Sequence, residues 1–182
     1  MIEANDIDLV HNAQFGDSAA IGELYDKHNR QIFLFVWSRV KDRPLAEDIT
    51  GEVFTRMVKS LPGFKQEGVP FRAWLYRIAR NLITDHYRKH GRFTTVPVDT
   101  TETAATDDGP HNPEPMIEKK LTLERVYRAL EQIDSAQKDV VVLRFLLGFS
   151  LQEAAAALDK TTAAVKSLQH RGLKSLRIVL FS

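Results

Sequence analysis

VPFRAWLYRIARNLITDHYRKHGR, residues 69–92, reads as one helix with two incompatible jobs. Phe71, Trp74, Leu75, Ile78, Leu82 and Ile83 recur at three- and four-residue spacing, so one stripe is built for burial. Trp74 falls on that stripe and is assigned to the core. The remainder carries Arg72, Arg77, Arg80, Arg88, Lys89 and Arg92 against one acid, Asp85, with Tyr76, Tyr87 and Asn81 interleaved. Arginines mixed with exposed aromatics and an amide suit a phosphate backbone with unpaired bases: the cations hold the backbone and the rings stack. An ordinary amphipathic helix with a solvated basic face has the same pattern, so the rest of the chain decides.

The chain has 182 residues, enough for one large domain or two small ones. Its net charge of +1 conceals an alternation. Residues 1–58 hold six cations against ten acids, and residues 71–93 hold six against one. Residues 94–134 then hold four against nine, and 160–182 hold five against none. Two basic blocks between acidic ones are expected if two separate places touch a polyanion. With no cysteine, disulfides, thiolate catalysis and cysteine-ligated zinc are excluded. The acidic start MIEANDIDLV lacks the layout of a signal peptide, and the most apolar run, VVVLRFLLGF at 140–149, is too short to span a bilayer. The expectation is a soluble cytoplasmic protein without membrane insertion.

Asp6 is placed to cap a short first helix ending near Gly16, and Ser18 begins a longer one whose apolar face includes Ile21, Leu24, Tyr25, Ile32, Phe35 and Val36. Pro44, after Asp42, opens PLAEDITGEVFTRMVKSL, with Leu45, Ile49, Val53, Phe54, Met57 and Leu61 as its buried stripe and Glu47, Asp48 and Glu52 in its first turns. The loop PGFKQEGVP then presents Phe64 and Lys65 just before the basic helix. No stretch alternates as a strand does. Residues 93–115, with six threonines, four prolines, five acids and no Lys or Arg, read as a flexible acidic linker.

Helical periodicity resumes over 116–133 and 135–147, and Gly148 is a stop. Ser150 and Glu153 form a capping box for LQEAAAALD, and Thr161 caps the last helix. These two helices have helix-turn-helix spacing. Ala155 is small at the crossing, Leu158, Val165 and Leu168 supply the core, and Asp159-Lys160 makes the turn, with Asp tolerating a left-handed backbone. Lys166, Ser167, His170, Arg171 and Lys174 then point one way, into a major groove, and Thr162 at the helix start can meet a phosphate. The bland alternative is a hairpin of an ordinary bundle.

In this order the strings AEDITGEVFTRMVKSLPGF, PFRAWLYRIARNLITDHYR and SLQEAAAALDKTTAAVKSLQHRGLKSL resemble a bacterial sigma-70 family sigma factor of the small extracytoplasmic-function (ECF) type. The resemblance implies an all-α protein of two small helical domains. Sigma region 2 would occupy 1–92, the linker 93–115, and sigma region 4 116–182. It implies that Asp48, Glu52, Val53 and Phe54 dock on the clamp of the large beta-prime subunit of core RNA polymerase, and that region 4 meets the flap of beta. The loop with Phe64 and Lys65 would capture a flipped base of the minus-ten element. Arg72, Tyr76, Arg77, Arg80, Asn81 and Arg88 would line the single-stranded path. Thr162, Lys166, Ser167, His170, Arg171 and Lys174 would read the minus-thirty-five duplex. Promoter DNA and an anti-sigma factor are the further partners implied, with no cofactor and no catalytic residue. Departures from the family pattern are Gly51 for a frequent glutamine, Lys160 at a usually apolar turn position, Ala163-Ala164 for Gly-Thr, and Ile133-Asp134 for Leu-Pro. The linker is either a plain tether or an acidic mimic of nucleic acid in the polymerase cleft.

Two other classes compete. A self-sufficient helix-turn-helix regulator would explain the end of the chain but leave Asp48, Glu52 and the aromatic-basic helix without roles. An enzyme needs a site, and His11, His28, His86, His90, His111 and His170 are scattered; His86 and His90 share a helix but sit among cations that repel a metal.

Overall fold

A computed structural model describes residues 4–91 and 124–182, with side chains from residue 6 onward. The proposed linker at 93–115 and the first part of the helix expected from 116 lie outside the described residues. Within them the chain is helical without a strand. The first half comprises α1 (Ala4–Gln14), α2 (Ser18–Val40), α3 (Arg43–Ser60) and α4 (Phe71–Lys89). The second comprises α5 (residues 124–131), α6 (Ser135–Val141), a π-helical turn (Val142–Leu146), α7 (Leu151–Leu158) and α8 (Thr162–Phe181).

Each boundary has a local cause. Asp17 caps α2 by accepting from the Ala19 and Ala20 amides, and Asp42 caps α3 by accepting from Leu45 N at 2.9 Å, with Pro44 in the first turn. Lys41 ends α2 in the left-handed region at φ 54°. The first helix departs from expectation: it begins at Ala4, so Asp6 lies within it and does not cap it. Its carboxylate instead reaches α2, 2.7 Å from Lys27 Nζ and 3.2 Å from His28 Nε2. Burial alone would raise the Asp6 pKa, but the bonds from His28 and Lys27 outweigh it and hold the carboxyl below its ordinary value.

α2, α3 and α4 pack mutually, with α1 laid across α2. Leu24, Ile32, Phe35, Val36, Val53, Met57, Leu61 and Leu75 are almost completely buried there. Each such side chain contributes about 1.5–3 kcal/mol by leaving water, before the entropy of ordering is subtracted. In the second half α8 packs on α6 and α7 around Leu130, Val140, Leu143, Leu158 and Val165.

Two glycines inside helices have opposite surroundings. A Cβ at Gly172 would lie 3.0 Å from Val141 Cγ2 and 3.3 Å from Gln137 Cβ, so α8 crosses α6 closely there. Gly51 in α3 is exposed, with nothing within 4 Å of such an atom. Gly172→Leu should therefore lower the urea unfolding stability of the second half by about 1–3 kcal/mol through overpacking. Gly51→Ala should raise that of the first half by about 0.5–1 kcal/mol through helix propensity alone.

Candidate nucleic-acid and polymerase interfaces

The loop between α3 and α4 is held before any ligand arrives. Gln14 Nε2 donates to Leu61 O at 2.9 Å and to Phe64 O at 2.7 Å, pinning the loop to α1. The Phe64 ring lies 4.5 Å from that of Trp74 and 5.9 Å from that of Phe71, and Lys65 beside it is exposed. Trp74, assigned from the sequence to the core, is only half-buried and forms one wall of this aromatic cluster. A cleft of about 420 Å³ adjoins it, lined by Lys27, His28, Gln31, Gln66, Phe71 and Arg72 among others. Gln14 and Trp74 are the participants that sequence reasoning missed. A glutamine at the end of a helix carries no signal of a partner 47 and 50 residues away, and a stripe position does not reveal how far a large ring reaches.

Tyr76 is the opposite case. Its place among the arginines suggested an exposed stacking ring, but it is 1% exposed, 5.2 Å from Phe35 and 4.7 Å from Phe149 of the second half. Burial pushes its phenol pKa up, against the pull of Arg72. Asn81 and Arg88 are exposed, and Arg88 Nη2 lies 2.6 Å from Asp85.

Three more arginines of the α4 face end on the second half. Arg72 donates to Leu147 O and places its guanidinium 3.8 Å from the Phe149 ring centroid. Arg77 Nε donates to Ala156 O at 2.5 Å, and Arg80 Nη1 donates to Leu158 O at 2.8 Å. Those carbonyls are at the carboxy end of α7, where the helix dipole is negative, and Ala156 O also accepts from Asp159 N at 3.4 Å. Around them, Arg39 Nη1 meets Asp139 Oδ1 at 3.0 Å and Ser135 O at 3.2 Å, and Lys41 Nζ meets Glu131 Oε1 at 3.1 Å. Burial pushes the Asp139 pKa up, while Arg39, Arg80 and Lys138 pull it down.

On α3, Asp48 and Glu52 are exposed, and Glu52 pairs with Arg56 one turn on at 2.9 Å. Val53 is completely buried and is a core residue, which removes it from the expected docking set. Phe54 is 5% exposed and forms the floor of a shallow groove of about 440 Å³, edged by Ile21, Tyr25 and Val58. Tyr25 and Val58 are 43% and 42% exposed there, and Gly51 leaves the groove open by having no side chain.

The last two helices have the expected turn. Ser150 Oγ accepts from Glu153 N at 3.1 Å while Glu153 Oε2 accepts from Ser150 N at 2.7 Å, completing the capping box. Asp159 is left-handed at φ 53°, and Thr161 Oγ1 accepts from Ala164 N at 3.1 Å. Thr162, Lys166, Ser167, His170, Arg171 and Lys174 are all exposed, on an α8 face that nothing else in the described structure covers. Among the described residues no group of three or more His, Cys, Asp or Glu is placed to hold a metal, and no helix is long and apolar enough to cross a membrane.

Comparison with known proteins matches two parts of the chain. The family described as sigma-70 region 2 matches residues 24–93, and that described as sigma-70, region 4 matches residues 123–176. The ECF RNA polymerase sigma factor BldN of Streptomyces coelicolor is 34% identical over 174 residues, covering 96% of this chain and 65% of BldN. The ECF RNA polymerase sigma factor SigX of Bacillus subtilis is 33% identical over 156 residues, covering 85% of this chain and 80% of SigX. Among solved structures, CnrH in complex with the cytosolic domain of CnrY superposes with a TM-score of 0.73 at 27% identity, covering 97% of each chain. The sigma factor RpoE of Bartonella quintana, solved with the anti-sigma factor NepR, has a TM-score of 0.69 at 21% identity over 87% of this chain and 95% of RpoE, a likeness of fold. The chain belongs to the ECF RNA polymerase sigma factors of the sigma-70 family, and spans about two thirds of the length of BldN.

The capping box sets where α7, and with it the turn, begins. Ser150→Ala should lower the urea midpoint of the second half by the equivalent of about 1 kcal/mol, and Ser150→Asp should restore most of the loss.

Proposed function

We propose that this protein acts as the promoter-specificity subunit of a bacterial RNA polymerase, working in the cytoplasm and having no catalytic activity of its own. One observation carries the reading: the chain joins an acidic docking helix, an aromatic-basic helix and an acid-free basic recognition helix, in the order of its family. Asp48 and Glu52 contact the clamp of the large beta-prime subunit, with the Tyr25–Phe54–Val58 groove beside them receiving an apolar side chain of that partner. Phe64, Trp74 and Lys65 take a base flipped from the minus-ten element. Unstacking a base costs a few kcal/mol, and an aromatic cluster held rigid by Gln14 recovers part of it by stacking.

Arg72, Arg77, Arg80, Asn81 and Arg88 hold the melted strand, with Tyr76 beneath them as support. Thr162 positions the recognition helix on a phosphate, and Lys166, Ser167, His170, Arg171 and Lys174 read the minus-thirty-five duplex in the major groove, while region 4 meets the flap of beta. Residues 93–115 act as the tether between the units. A regulatory protein partner is also proposed: CnrH, the 27%-identical relative, is held by the cytosolic domain of CnrY, and an anti-sigma factor is the partner that the family implies. A self-sufficient regulator would leave α3 and α4 without roles.

The test is run-off transcription from a promoter library with core RNA polymerase, scored by sequencing. Transcripts should appear only when this chain is added. Asp48→Arg should abolish co-elution with core polymerase, whereas Arg80→Glu should still assemble and lose at least about ten-fold in transcript yield, equivalent to roughly 1.4 kcal/mol. A chain that protects duplex DNA alone and never joins polymerase would overturn the reading.

A further inference from the structure

Asp6 on α1 and His28 on α2 are titratable, 8% and 3% exposed, and have no part in the function proposed above. Burial raises the Asp6 pKa, and the bonds from His28 and Lys27 carry it below its ordinary value, so at neutral pH a carboxylate sits inside the first half. With that carboxylate as acceptor, His28 Nε2 donates to Asp6 Oδ2 at 3.2 Å, and Lys27 Nζ lies 2.7 Å from Oδ1. A buried ion pair adds little net stability over an apolar contact of the same volume. What it supplies is direction. An apolar stripe tolerates a small slide or turn, whereas these donors and this acceptor have to meet atom to atom.

Two paths lead from the pair to the aromatic cluster. On α1, Gln14 lies eight residues beyond Asp6, about 12 Å along the helix axis. Its amide holds Leu61 O at 2.9 Å and Phe64 O at 2.7 Å. Sliding α1 by one residue would carry that amide about 1.5 Å, enough to break both bonds. On α2, the His28 ring lies edge-on to Phe71 with centroids 5.6 Å apart, and Phe71 lies 5.9 Å from Phe64 and 5.7 Å from Trp74. Both residues also line the cleft of about 420 Å³ beside the cluster, so the pair is at the site and not in a remote part of the bundle.

We propose, resting on the base-capture role given above to Phe64, Trp74 and Lys65, that Asp6 and His28 are positioning residues for the flipped base. Asp6 sets the register of α1 under the loop, and His28 backs Phe71. Neither is assigned a contact with DNA.

Base capture is read apart from assembly by forming holoenzyme with the full chain and adding a promoter drawn from the run-off library. The promoter carries 2-aminopurine at one minus-ten position at a time, and the rise in fluorescence reports a base leaving its stack. Asp6→Asn, which keeps the size and removes the charge, should slow that rise at least about three-fold while co-elution with polymerase and affinity for the closed promoter stay unchanged. His28→Gln, which keeps a donor for Asp6 and removes the ring from Phe71, should slow it likewise, and it decides the matter if Asp6→Asn does not fold. In the free chain, hydrogen exchange of residues 61–70 should quicken in both variants while that of α6–α8 does not change. Folded variants that open the promoter and exchange the loop at the unmodified rate overturn the proposal. A loss falling equally on opening, co-elution and exchange of α6–α8 is general destabilisation and overturns it too. If the unmodified chain opens no promoter, the proposed function fails, and the positioning is decided by loop exchange, which needs neither polymerase nor DNA.

Discussion

A guanidinium group that donates to a neighbouring helix has fewer of its five N–H donors left for a phosphate. That constraint organises the molecule. Arg80 supplies a donor to Leu158 O at the end of α7, Arg77 adds a second donor to Ala156 O, which also accepts from Asp159 N at 3.4 Å, and Arg72 covers the ring of Phe149. The contact between the halves buries Tyr76 against Phe149 and surrounds them with donors from three arginines of α4. Most helical proteins join two units through apolar stripes, which have nothing else to do. Here the joint and the proposed nucleic-acid surface share Arg72, Arg77 and Arg80.

The π-helical turn at Val142–Leu146 makes this joint possible. Widening the helix by one residue per turn changes where the following segment leaves it. The Leu147–Phe149 stretch exits with Gly148 at φ 66° and carries Phe149 away from its own bundle, where it is nonetheless 1% exposed because α4 covers it. Arg144, inside the same turn, ties that excursion back to the recognition helix.

Much of this was legible in the sequence. Helix starts and stops followed Asp42, Ser150, Glu153, Thr161 and Gly148 because capping is a short-range matter of one side chain and a few backbone groups. The exposed basic face of α8 was legible because no acid interrupts it. What failed did so for reasons of distance. Asp6 sits where a cap could be, but its partners are 21 and 22 residues away on another helix. Tyr76 and Trp74 exchanged places between surface and core because α4 is contacted on two sides, by its own bundle and by α7, and a single periodicity describes only one of them. Val53 was placed by periodicity on the stripe that buries α3, as the structure has it, and only the resemblance set it beside the exposed acids as a docking residue.

The bridge from Gln14 to the loop after α3 has a kinetic meaning. One amide holds two carbonyls, Leu61 O and Phe64 O, so the chain between them is closed off at both ends by a group on a different helix. A loop fixed in this way has little conformational search left to perform when something enters beside Phe64. Association there would be limited by how fast the incoming group leaves its own stack, and the protein side of the encounter would be ready on every collision.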